Sequence, residues 1–126
     1  MKLADKHLQR FNRNVAKWQG QLGLTGWRIT VEWEKEDHGA RAITRLNHKS
    51  HQATITLIRD QQDSPTAKDF EGYCDELAFH EVLHILLADI TVLAEQNTHP
   101  NMYDSIQAAE HKVIRTFENL LFRILK

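Results

Sequence analysis

His80 and His84 stand four residues apart with Glu81 beside the first, in the pentapeptide His80-Glu81-Val82-Leu83-His84. Residues four apart on an α-helix share a face about a turn apart, so both imidazoles can reach one ion, while Glu81, turned by about 100°, stands next to it. Two imidazoles are donors that zinc takes, and a carboxylate in that place can act as general base toward water. A shuffled chain of this composition would contain HExxH in roughly a few per cent of cases, so the pattern needs its context. The flanks supply it: Leu77-Ala78-Phe79 before and Ile85-Leu86-Leu87-Ala88 after are apolar nearly all round, as in a helix buried in a core. Two histidines and a glutamate are costly there unless something satisfies them.

A zinc ion that does chemistry has three protein donors and one open position, so a third donor is expected outside the pentapeptide. Asp89, Glu95, His99, Asp104, Glu110 and His111 lie downstream. With Glu110 at zero and about 100° per residue, Ile106, Val113, Ile114, Phe117, Leu121 and Ile124 fall within about 60° of it, so Glu110 points from the middle of an apolar face. A carboxylate in that place needs a partner, and a divalent cation is one. His111, about 100° round the same wheel, points toward the edge of the face, and phase favours Glu110 over it. Asp89 is about 180° from His80 and is expected to face solvent or cap a neighbour. His99, Tyr103 and His111 are candidates for stabilising an oxyanion. His38, His48 and His51 belong to strand turns and are expected to be exposed.

The elements that must position these groups are readable in outline. Leu8, Phe11, Val15, Trp18 and Leu22 recur at steps of three and four, predicting a packing helix from about residue 3 to Gly20 or Gly23, where glycine can cap it. Trp27, Ile29, Val31 and Trp33 alternate with polar residues as in a half-buried strand. A turn at Glu36 to Gly39, a strand from Ala40 to Leu46, a turn at Asn47 to Ser50 and a strand from Gln52 to Ile58 follow. Tight connections predict that the three strands form an antiparallel meander. Asp60 to Lys68, containing Pro65, reads as a loop, after which Thr66 or Asp69 could cap a metal-site helix reaching about Ile90. Glu95 to Asn101 breaks the chain, and a last helix runs from about Tyr103 to the end. The order predicts an α+β domain.

At 126 residues the chain has the size of a single domain. Its formal net charge of -1 gives no global reason to expect nucleic acid or an anionic membrane as partner. Cys74 is its one cysteine, which excludes an intramolecular disulfide and a Cys-rich zinc finger, so metal must be held by His and carboxylate. No apolar run has the form of a signal peptide or a membrane span, and a cytoplasmic setting is the expectation.

On His80, Glu81, His84 and Glu110, and on the order of sheet, HExxH helix and glutamate helix, the chain resembles the zincin metallopeptidases, specifically the gluzincins. Its size is similar to that of the minigluzincins and of small HExxH proteins of phages and prokaryotes. The resemblance implies one zincin-like domain over residues 1–126, one Zn²⁺ on His80, His84 and Glu110, Glu81 as catalytic base, and hydrolysis of a peptide or protein substrate. It also implies that the last strand, Gln52 to Ile58, forms the upper rim of the cleft and pairs with extended substrate. Larger gluzincins often carry a polar group four residues after the ligand glutamate to orient a histidine. Ile114 stands there, so another group, such as Glu76 or a backbone carbonyl, must orient His80. Three alternatives accompany this expectation. The first is a latent metal-binding module whose ion ties the C-terminal helices together, with His99 or His111 as fourth donor. The second is a peptidase of one regulatory protein, like the repressor-cleaving HExxH proteins. The third is resemblance to the SprT-like proteases, which implies a third histidine and a basic extension, neither of them evident in the sequence.

Overall fold

Phe11, Val15 and Trp18, the centre of the first predicted stripe, are buried in helix α1, Asp5–Gln21. The computed structural model that shows this describes residues 3–35, 41–60 and 70–124. Helix α1 ends at a glycine, as expected: Gly23 takes a left-handed φ of 72°, its N–H donates to the Gly20 carbonyl at 3.2 Å, and the Leu24 N–H donates to Gln19 at 2.9 Å. This pair of bonds satisfies carbonyls that the end of a helix leaves unpaired.

Strands β1 (Arg28–Glu34), β2 (Ala42–Asn47) and β3 (Gln52–Ile58) form one sheet, but not the predicted meander. Its order is β1-β3-β2: β3 lies in the middle, antiparallel to β2 and parallel to β1. The reason is visible in β3 itself, because a strand covered on both faces belongs in the interior of a sheet. Ala53, Ile55 and Leu57 are buried on one face, and on the other Thr56 and Ile58 are equally inaccessible. Thr56 is sealed by polar side chains from both neighbours, with Arg45 Nη1 donating to its hydroxyl at 3.3 Å and the hydroxyl donating to Glu32 Oε1 at 3.1 Å. The strand with an open edge beside the helices is therefore β2, and the expectation that Gln52 to Ile58 offers a free edge is corrected. The predicted turn at Glu36 to Gly39, with His38, the loop from residue 61 to 68 and the caps Thr66 and Asp69 lie outside the described residues.

Helix α2, Phe70–Leu86, is wedged between α1, β2 and the C-terminal helix, which is why its sequence is apolar on several sides. Cys74, Ala78, Phe79, Val82, Leu83 and Ile85 are all buried, and the Trp18 and Phe79 rings pack at 4.7 Å. Asp75 fixes its rotation by accepting from Arg10 Nε (2.8 Å) and Nη2 (2.7 Å) and from Asn14 Nδ2 (2.7 Å), all on α1. The predicted continuation to Ile90 is broken at Leu87. A separate helix α3, Ala88–Gln96, leaves at 49° to α2. No glycine or proline marks this break. It lets Ala88 enter the core while α3 packs on helix α4, Tyr103–Glu118. A turn of 3₁₀ helix, Pro100–Met102, precedes α4, and a π-helical stretch, Asn119–Ile124, follows it. The architecture is α+β. No single helix among the described residues is long and apolar enough to cross a membrane.

Candidate metal centre

His80, Glu81 and His84 sit in the C-terminal half of α2, two half-buried imidazoles beside a buried carboxyl, with the two imidazole centroids 5.1 Å apart. A third ring joins them from α4: His111 lies 5.7 Å from His80 and 4.9 Å from His84, centroid to centroid. One ring nitrogen from each of the three can be chosen so that all lie within 4.8 Å of one another, close enough to share an ion.

Hydrogen bonds engage one nitrogen of each ring. His80 Nδ1 bonds Glu118 Oε1 at 3.0 Å, His84 Nδ1 bonds Glu110 Oε1, and His111 Nδ1 bonds the Gln107 carbonyl at 2.9 Å. An ionised carboxylate and a carbonyl only accept, so in the neutral form of each ring these bonds favour the tautomer with the proton on Nδ1, which leaves Nε2 as the donor to an ion. Metal-binding histidines are oriented in this way, by a carboxylate or backbone carbonyl behind the ring.

Glu110 thus points into the centre, as its helical phase predicts, and its contact there is the ring of His84. Glu118 is the orienting group that the sequence left unassigned for His80. Glu76, the candidate for that task, instead accepts from Arg123 Nη2 at 2.5 Å. His111 ranked behind Glu110 in the sequence, and Glu118 was missed, for a common reason. The buried face of α4 is turned by about 60° from the apolar centre, since Ile114 is fully buried while Val113 and Phe117 are 40% and 44% exposed. That rotation brings His111 inward together with Glu118, seven residues and two turns further on. The heptad spacing of His111 and Glu118 was the available signal.

Electrostatically the pocket favours positive charge. Burial opposes protonation of His80, yet the bond from Glu118 and the charges of Glu81, Glu118 and Glu110 outweigh it and raise its pKa. Glu81 is 4% exposed, and its Oε2 has no hydrogen-bond partner. Burial pushes its carboxyl above the usual range against the pull of His84, His80 and His111. A buried, unpartnered carboxylate oxygen beside three imidazole lone pairs suits a divalent cation and a water molecule.

Two cavities flank this centre. One, of about 720 Å³, is lined by Arg41, Tyr73, Arg115 and Glu118 as well as His80 and Glu81. The other, of about 540 Å³, lies between Thr44 and Leu46 of β2, Thr91 and Glu95 of α3, and Glu110 and His111 of α4. Neither His99 nor Tyr103 lines either cavity: the His99 ring accepts from the Asn101 N–H at 3.3 Å and caps the 3₁₀ turn. Tyr73, with the Arg41 guanidinium 5.3 Å from its ring centroid, lines the first cavity instead. Asp89 is exposed, as expected, and His48 Nε2 bonds it at 2.6 Å. No protein-family model, curated protein or solved structure matches the chain.

Proposed function

We propose that the chain is a zinc-dependent peptidase in which His80, His84 and His111 hold one ion and Glu81 is the general base. The observation that carries this reading is the convergence of three imidazoles, each with its Nδ1 committed to an oxygen, around the buried carboxyl of Glu81. When bound, zinc supplies a Lewis acid that makes water more acidic and polarises a carbonyl. Glu81 takes the proton from the attacking water and delivers it to the leaving amine as the peptide C–N bond breaks. Its raised pKa brings its basicity closer to neutral pH, where proton transfer in both directions is efficient. Glu110 and Glu118 hold the His84 and His80 rings in the tautomer that presents Nε2.

Substrate backbone would add to the open edge of β2. Ala42 lines both cavities, Ile43, Thr44 and Leu46 line the second, and the Thr44 hydroxyl already reaches the Glu81 carbonyl at 3.4 Å. An extended peptide there gains main-chain hydrogen bonds while its scissile carbonyl lies over Glu81. His111 also supplies the third histidine that a resemblance to the SprT-like proteases requires. A latent module is the second reading, favoured by Glu110: shifted from the His84 ring to the ion, it would make a fourth protein donor and close the site.

Metal analysis of purified protein, with a peptide-library cleavage assay on wild type and Glu81→Gln, tests the proposal. Zinc-dependent cleavage that Glu81→Gln removes without loss of zinc is the expected result. Cleavage that survives in Glu81→Gln would overturn it, and zinc uptake with no cleavage in wild type would leave the latent module.

A further inference from the structure

A second group of side chains of the types that bind metals lies apart from the two cavities. His48 and His51, in the turn between β2 and β3, and Asp89, in the first turn of α3, each offer a donor atom within 4.8 Å of the other two. We propose that these three residues form a second divalent-cation site, with zinc as the ion that suits two imidazoles and one carboxylate.

The turn is shaped to bring the rings together. His51 takes a left-handed φ of 52°, and it is the one described residue other than glycine with a positive φ. Its ring is stacked on Trp27 with 4.9 Å between centroids and 17° between planes. Backbone bonds secure the turn on both sides: the His51 N–H donates to the His48 carbonyl at 3.3 Å, and the His51 carbonyl accepts from the Arg28 N–H at 2.8 Å. The His48 ring meets the His51 ring edge-on at 5.9 Å, and its Nε2 bonds Asp89 Oδ1 at 2.6 Å. Asp89 therefore already lies against one imidazole, linking the β2–β3 turn to the start of α3.

On binding, the ion would take the place of the hydrogen bond between His48 Nε2 and Asp89 Oδ1, with His48 ligating as the neutral ring whose proton sits on Nδ1 and whose Nε2 offers its lone pair. Water completes the coordination on the exposed side. Because Asp89 is the second residue of α3, two positions after the break at Leu87, the ion would pin the β2–β3 turn to the start of that helix. Thr91 and Glu95 of that helix form the wall of the second cavity opposite β2, so the ion also sets the spacing of that wall.

The test is calorimetric titration of the chelator-stripped full chain with zinc chloride. Wild type is compared with His51→Asn, which tolerates the left-handed backbone, with Asp89→Asn, and with His80→Ala, which removes a donor of the first centre only. His51→Asn and Asp89→Asn should each take up one equivalent fewer than wild type, and His80→Ala should lose a different equivalent. Ring proton resonances of His48 and His51 should move on zinc addition in wild type and in His80→Ala. Should the first centre bind no zinc, wild type would still take up one equivalent, and His51→Asn would abolish it. Equal uptake and affinity in wild type, His51→Asn and Asp89→Asn, with unmoved His48 and His51 resonances, would reduce the cluster to a hydrogen-bonded pair beside a stacked ring and overturn the proposal.

Discussion

Two groups of imidazoles in this molecule are assembled by opposite means. His80, His84 and His111 are spaced by helical geometry, partly buried, and backed by Glu118, Glu110 and a carbonyl. His48 and His51 are spaced by a tight turn, and with Asp89 they lie nearer the surface, one half-buried and two exposed. Burial makes an unsatisfied polar group expensive, so the helical group carries its partners with it. The turn group can do without them because water is at hand. The contrast predicts large effects of substitution in the helical group and small ones at the turn.

The largest effect belongs to Glu81. Its replacement by glutamine keeps the shape of the side chain and removes the proposed base, so on that proposal peptide cleavage should fall by about 10²- to 10⁴-fold with zinc content unchanged. A steady-state assay with metal analysis on one preparation checks both halves. Next come the groups around the ion. Glu110→Gln and Glu118→Gln should weaken zinc binding by about 10- to 100-fold, the cost of releasing an orienting partner. His111→Ala, which deletes a donor, should weaken it further. Competition titration against a chromogenic chelator ranks the three, and a Glu110→Gln loss exceeding that of His111→Ala would make Glu110 the ligand and His111 the bystander.

These rankings depend on a rotation of α4 that its sequence conceals. The HExxH helix, the stripe of α1 and the span of β3 were legible because each is a local period, and Gly23 caps α1 where glycine was expected. Strand order was not, since the apolar faces of β1 and β3 say nothing of which edges meet. Thr56, polar by type, is buried under Arg45 and Glu32, which nothing in the local pattern of β3 announces. The break at Leu87 arises from packing of α3 on α4 and has no local marker. On α4, Val113 and Phe117 weighted the apolar wheel toward a side that the fold leaves exposed, which placed Glu110 ahead of His111 and hid Glu118.

The rotation can be measured through stability. Ile114 is fully buried and Val113, its neighbour in sequence, is 40% exposed. In chelator, Ile114→Ala should cost about 2–5 kcal/mol, the usual range for emptying a buried aliphatic site. Val113→Ala should cost less than about 1 kcal/mol. Urea unfolding of both variants decides the matter, and similar losses would mean that α4 presents the face centred on Glu110 after all.

The smallest effect is expected at Asp89. Its side chain is 72% exposed, so without metal its bond to His48 is worth about 0.2–1 kcal/mol, as for other exposed pairs. Its charge in the first turn of α3 adds a few tenths to about 1 kcal/mol through the helix dipole. Asp89→Ala should therefore lower stability in chelator by no more than about 2 kcal/mol, and the loss should shrink with added sodium chloride. Zinc should widen the gap between wild type and variant, because an ion bound only by the folded turn stabilises by mass action. A gap that is already large in chelator and indifferent to zinc would mean that the turn is held to α3 by protein contacts alone, and the contrast between the two groups would then be one of burial rather than of metal.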